Sequence, residues 1–183
     1  MSKKKPKLLI IGHGRHGKDT VCEILRDYHG HKFISSSLFV AEKAVWPNWG
    51  RDYGVWDTVE ECYEDRANYR ASWAREISAY NTPDKSRTAT EMFDEGHNIY
   101  CGVRMRDELE ACKDKGLFDL IIWVDRSDHL PSEPLSSMEL TKEDADFFLN
   151  NNGSIRNLWL SVDYWLSEGG AVWEDSARGG MNG

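Results

Sequence analysis

The segment Gly12-His13-Gly14-Arg15-His16-Gly17-Lys18-Asp19-Thr20 carries the glycine spacing and the lysine that a phosphate-binding loop needs. Glycines let successive main-chain N–H groups turn inward around an anion, and the N-terminus of a following helix adds positive potential. Lys18 then reaches the outer phosphates of a nucleoside triphosphate. The flanks agree with that chemistry. Leu8-Leu9-Ile10-Ile11 reads as a strand, and Val21-Cys22-Glu23-Ile24-Leu25 opens an amphipathic helix, which is the strand–loop–helix setting the motif requires. Residues Gly12 to Thr20 are therefore expected to hold the phosphates of ATP.

After the lysine, many such loops place a hydroxyl residue that holds Mg²⁺ directly. Here Asp19 stands in that place and Thr20 follows. Asp19 and Thr20 are the candidate metal residues, with Asp19 anchoring metal-bound water. An acidic residue in a first helical turn is equally a favourable cap, and the two roles are compatible.

These residues need a scaffold, and the chain alternates as an α/β domain does. The expected strands are Leu8–Ile11, Lys32–Ile34, Ile99–Cys101, Leu120–Val124 and Phe147–Leu149. The expected helices follow the loop, run from Ser35-Ser36-Ser37 through Val45, from Thr58 to Ala79, from Asp84 to Phe93, from Arg104 to Lys115, and from Ile155 to Leu166. Residues 169–183 have the composition of a loose tail. The pattern predicts one domain over 1–168 with a mostly parallel sheet between two helical layers. Ligands of such sheets bind at the C-terminal ends of the strands. That directs attention to Arg104, Asp125, Arg126 and the Asn151-Asn152-Gly153 turn, each following a predicted strand. Arg104 and Arg126 would face the phosphates, since phosphoryl transfer is mostly positioning and charge neutralisation. Arg104 could instead pair with Glu108 one helical turn on.

Composition excludes several classes. The net charge of −8 over 183 residues gives no general affinity for polyanions. Cys22, Cys62, Cys101 and Cys112 form no C-x-x-C pair and are read as reduced thiols. No stretch approaches the ~20 apolar residues of a membrane span. The basic start, Lys3-Lys4-Lys5-Pro6-Lys7, runs directly into a strand rather than a signal-peptide core. A cytoplasmic protein is expected.

Three stretches carry a more specific likeness. Gly17-Lys18-Asp19-Thr20, Gly102-Val103-Arg104-Met105-Arg106-Asp107-Glu108, and Asp146 to Ser154 resemble the deoxynucleoside monophosphate kinases of bacteriophages. The resemblance implies a three-layer P-loop kinase fold, γ-phosphoryl transfer from ATP with Mg²⁺, and a host-cytoplasm location. It places Arg104 at the transferring or acceptor phosphate and Asn151 to Ser154 beside the adenine. It also implies a lid, here a short one at about 126–140 holding only Arg126. One departure is plain: members often have an acidic residue before Val-Arg, and this chain has Gly102. Asp19 or Asp125 would have to supply that carboxylate, and Arg15 and His16 the charge that the short lid lacks. His13 and His16 have solvated loop histidines as their plainer reading.

The helical stretch of about 38–94 matches the family only in being helical, and it is where an acceptor would be chosen. Arg66 and Arg70 stand four apart with Trp73 beyond, so one helix face could offer two guanidinium forks and an aromatic plate. Trp46, Trp49, Tyr53, Trp56, Tyr63, Tyr69 and Tyr80 surround them. Against this, tryptophans are mostly core residues, and Glu61, Glu64 and Asp65 offer ordinary ion-pair partners.

The leading acceptor is a free deoxynucleoside monophosphate. The alternative is the hydroxymethyl group of 5-hydroxymethyluracil in DNA, phosphorylated during thymidine hypermodification, for which a short lid and an open tryptophan-rich segment would suit an extruded base. The acidic balance opposes that alternative. A non-catalytic nucleotide sensor is the remaining reading, supported by Gly102 and opposed by Lys18, Thr20 and Arg104 together. Guanine-specific and transporter signatures are missing. The sequence leaves base preference and oligomeric state, a homodimer included, open.

Overall fold

A computed structural model describes residues 5–51 and 54–178, with side chains described at 5–50 and 54–167. Lys3, Lys4, Tyr53 and 179–183 lie outside the described residues. Four strands form one all-parallel sheet: β1 (Leu8–Ile11), β2 (Ile99–Cys101), β3 (Leu120–Asp125) and β4 (Phe147–Asn150), in the spatial order β2-β1-β3-β4. Leu8 pairs with Ile99 on one side and Leu120 on the other, and Ile122 with Phe147. Every residue of β1 is buried, as a central parallel strand covered on both faces must be.

Side chains alternate between two helical layers. Leu9, Ile11, Tyr100, Ile121 and Trp123 point to one core, and Leu8, Ile10, Ile99, Cys101, Ile122, Val124 and Leu149 to the other. The second core is closed by α1 (Lys18–His29) through Val21, Ile24 and Leu25, and by α7 (Ile155–Arg178) through Leu158, Val162 and Trp165. The first is closed by α2 (Ser36–Val40), α3 (Val59–Glu64), α4 (Arg70–Tyr80), α5 (Arg87–Asp94) and α6 (Arg106–Asp114). The result is the expected α/β/α sandwich.

Four local expectations are corrected. Lys32–Ile34 is not a strand. Its one main-chain bond to the sheet edge runs from Asn98 N–H to Lys32 O at 3.0 Å, and the Asn98 side chain takes Lys32 N–H at 2.8 Å. A side chain thus replaces the ladder after a single rung. The helix from Ser36 does not stop at Val45: it continues as a π-helical stretch, Ala41–Arg51, that accommodates Pro47.

The predicted continuous helix from Thr58 to Ala79 is two helices. Asp65 accepts from Trp56 Nε1 at 3.0 Å and from Asn68 Nδ2 at 2.6 Å, which tightens Asp65–Ala67 into a 3-10 turn before α4 restarts. The last helix runs past Leu166 to Arg178, into the stretch read as a loose tail. Its start is as predicted, with Ser154 Oγ accepting from Asn157 N–H at 3.2 Å. The four cysteines are free and buried.

Candidate functional site

The glycine loop joins β1 to α1 at the C-terminal edge of the sheet. Gly12 lies at φ +144°, where a Cβ would stand 2.4 Å from Val124 O of β3. Gly17 caps α1 at φ +97°, with Asn151 Nδ2 2.3 Å from the place of a Cβ. Close packing against the neighbouring strand ends therefore demands glycine at both positions. Arg15 also takes a left-handed φ of 64° at the loop tip. Lys18 Nζ donates to His13 O at 2.8 Å, curling back over the loop. Burial pulls the ammonium below its usual range.

The two histidines are struts. His16 is fully buried, and its Nδ1 accepts from Arg126 N–H at 3.0 Å. His13 stands edge-on to Trp123 and to His16 with 5.3 Å between ring centroids, and its Nδ1 accepts from Glu133 N–H at 3.1 Å. Burial lowers its pKa, so it is a neutral acceptor. The expectation that His16 adds positive charge at the phosphates is corrected: it is sealed beneath the loop.

Asn151, Asn152 and Gly153 serve the same support. Asn151 is buried and its Nδ2 donates to His16 O at 2.8 Å, while its carbonyl accepts from Arg126 Nη1 at 2.7 Å. Asn152 donates to Asp125 at 3.1 Å and accepts from Asp128 N–H at 3.0 Å. Asp125 also takes both the N–H and the hydroxyl of Ser127. Burial raises its pKa, yet these hydrogen bonds outweigh that and keep it low. Asp125 therefore ties the β3 and β4 turns together and is not among the residues that line the cavity beside the loop. Arg126 is likewise committed to Asn151.

That cavity measures about 580 Å³. Its walls include Gly14, Arg15, Lys18 and Asp19 of the loop and α1, together with Ser36, Tyr63, Arg66, Asn81, Lys85, Gly102, Arg104 and Glu108. Gly102 has a structural reason: at φ +131° its Cβ would meet Ser36 Oγ at 2.6 Å, and Ser36 Oγ donates to Cys101 O at 2.6 Å.

Of the four acceptor residues proposed from sequence, Arg66 and Arg104 line the cavity, and Arg70 and Trp73 do not. Arg66 lies over the Tyr63 ring at 4.0 Å and donates to Tyr63 O at 2.7 Å. Arg70 is exposed at the start of α4, separated from Arg66 by the 3-10 turn, so the shared helix face does not exist. Trp73 is buried in the core. Trp49 and Trp56 donate to Glu76 and Asp65 and pack against or within the same core, so the tryptophans make no open plate.

Several site residues were not singled out from sequence. Asn81 Oδ1 accepts from Thr88 N–H at 3.1 Å and Thr88 Oγ1 at 2.8 Å, which turns its amide nitrogen to the cavity. Glu108 accepts from the buried Tyr100 hydroxyl at 2.9 Å, and burial pushes its carboxyl up to about 7. Arg104 pairs with Glu133 at 2.7 Å rather than with Glu108. No sequence signal marks Glu133, which lies 119 residues from its loop partner Gly14.

Among the described residues no cluster of three or more His, Cys, Asp or Glu is arranged to hold a metal, and no helix is long and apolar enough to cross a membrane. Asp19 and Thr20, on the first turn of α1, suit an ion bound mainly through phosphate and water oxygens.

No protein-family model and no curated protein matches the chain. Among solved structures it is similar to the crystal structure of TT1252 from Thermus thermophilus, at 16% identity and a TM-score of 0.44, covering 90% of this chain and 98% of the other.

Proposed function

We propose that this chain is an ATP-dependent phosphotransferase whose acceptor is a free deoxynucleoside monophosphate. The observation that carries the reading is that one cavity is lined both by the lysine of the glycine loop and by polar side chains with their own hydrogen-bonding groups. Its volume falls within the range of small-molecule sites. Lys18 and the loop N–H groups would bind the β- and γ-phosphates, and Asp19 with Thr20 would hold Mg²⁺, which supplies charge neutralisation when bound. Arg104 lines the same cavity and would neutralise charge on the transferring phosphoryl group. Arg66 and Lys85 give cationic groups for the acceptor phosphate. Asn81 and Glu108 give a donor and an acceptor for a base edge, the pairing by which bases are read elsewhere.

The reading of a flipped DNA base has less support, because Trp56 and Trp73 are buried in the first core and Trp46 and Trp49 pack against it. ADP production from ATP and Mg²⁺ tests the proposal, with the free deoxynucleoside monophosphates as one panel and DNA with or without 5-hydroxymethyluracil as the other. Turnover on free nucleotides that is lost in Lys18→Ala is the expected result. Turnover confined to modified DNA, or ATP binding without turnover on either panel, overturns it.

A further inference from the structure

The loop between β3 and β4 reaches back across the phosphate loop through one residue. Glu133 Oε2 accepts from Gly14 N–H at 2.5 Å, and Glu133 Oε1 accepts from Arg104 Nη1 at 2.7 Å. Its own N–H donates to His13 Nδ1 at 3.1 Å. Its carboxyl carbon stands 3.2 Å from where a Gly14 Cβ would be. A loop N–H and a guanidinium on one oxyanion are the contacts a phosphate makes in such a loop. Burial raises the Glu133 pKa, but Arg104, Gly14 N–H and the nearby Lys18 together hold it below its usual range, so the group is an anion.

The rest of the segment holds that carboxylate in place. Arg126 pins one end to Asn151, and Met138 and Leu140 are buried at the other. Pro131 and Pro134 flank Glu133, and Pro134 O accepts from Ser137 and Met138 N–H. The proline rings restrict the chain on both sides. Leu135, just beyond Pro134, is exposed at the crest of the segment.

We propose that Glu133 is an internal competitor for the phosphate seat: its carboxylate holds the Gly14 N–H and Arg104 until a polyphosphate displaces it. The inference rests on the reading of Gly12 to Thr20 as a triphosphate site. A single carboxylate charge yields to a highly charged triphosphate and resists weaker anions, so the contact selects for polyphosphate. It also withholds Arg104 until a polyphosphate has bound.

The test is calorimetric binding of ATP and of inorganic tripolyphosphate to the full chain, as wild type, Glu133→Gln, Glu133→Asp and Lys18→Ala. Glu133→Gln removes the charge, and Glu133→Asp keeps it but falls one methylene short of Gly14. Both variants are expected to bind both ligands about tenfold more tightly, the scale of one charged hydrogen bond. Affinity unchanged or weakened in both variants, with wild-type binding that still depends on Lys18, overturns this proposal alone. Binding in no variant, or binding indifferent to Lys18, overturns the triphosphate reading and this proposal with it.

Discussion

The two ends of the cavity are built on different principles. At the donor end the chemistry belongs to the backbone: Gly12 and Gly17 sit where no side chain fits, and Lys18 acts from the first turn of the helix they open. At the acceptor end the chemistry belongs to side chains from four separate elements: Tyr63 in α3, Arg66 in the 3-10 turn, Asn81 after α4, and Glu108 in α6. A backbone site is confined to nine consecutive residues and tolerates almost no change. A side-chain site is distributed, and each member is replaceable on its own.

That contrast ranks the effects of substitution. Lys18→Ala is expected to lower kcat/KM by at least about a hundredfold, the scale of removing one transition-state charge contact, with the melting temperature held near that of wild type. Comparable activity in the variant would show that the donor end is not where phosphate binds. Gly12→Ala, by driving a Cβ into Val124 O, should cost about 1–3 kcal/mol of stability and phosphate binding together. Denaturant unfolding beside ATP titration measures both losses.

The acceptor end should respond through KM. Arg66→Ala is expected to raise the acceptor KM about tenfold while leaving the KM for ATP alone, whereas Arg70→Ala should be silent within about 0.5 kcal/mol in stability and in both constants. Equal effects of the two would restore the shared helix face that the 3-10 turn removes. Trp73→Phe should lower stability by about 1–3 kcal/mol with unchanged acceptor KM, as for a core residue.

Glu108 offers a finer test, in pH. Its folded-state pKa of about 7 lies above the ordinary carboxylate value of 4.5, so its contribution favours the folded state below about pH 4.5 and is lost as pH rises towards 7. The melting temperature of Glu108→Gln should therefore gain on wild type across that window. Acceptor affinity should move the other way in wild type, rising through about pH 7 as the carboxylate becomes able to accept a base N–H, and Glu108→Gln should flatten that profile. Parallel profiles for wild type and variant would remove Glu108 from the acceptor wall.

Legibility in the sequence follows the same division. The strands β1, β2, β3 and β4 were readable because buried parallel strands are short apolar runs, and the loop was readable because its chemistry is contiguous. Lys32–Ile34 read as a strand because it is apolar, yet pairing is decided by the neighbour, and Asn98 supplies a side chain instead. Arg66 and Arg70 read as one face because helical spacing was assumed where Asp65 breaks the helix. Trp73 was ambiguous by nature, since an aromatic residue serves a core and a binding plate equally well.

By itself, the sequence determined the α/β alternation, the glycine-and-lysine loop and the candidate status of Arg104, all of which depend on local spacing or on residue type. Tertiary structure alone decided that Asp125 and the Asn151–Gly153 turn brace the loop rather than face the cavity. It alone brought Asn81 and Glu108 to one wall, and it alone set Glu133 on Gly14. Those outcomes depend on contacts between residues as much as 135 positions apart. Such contacts arise from the packing of whole layers, and no local pattern records them.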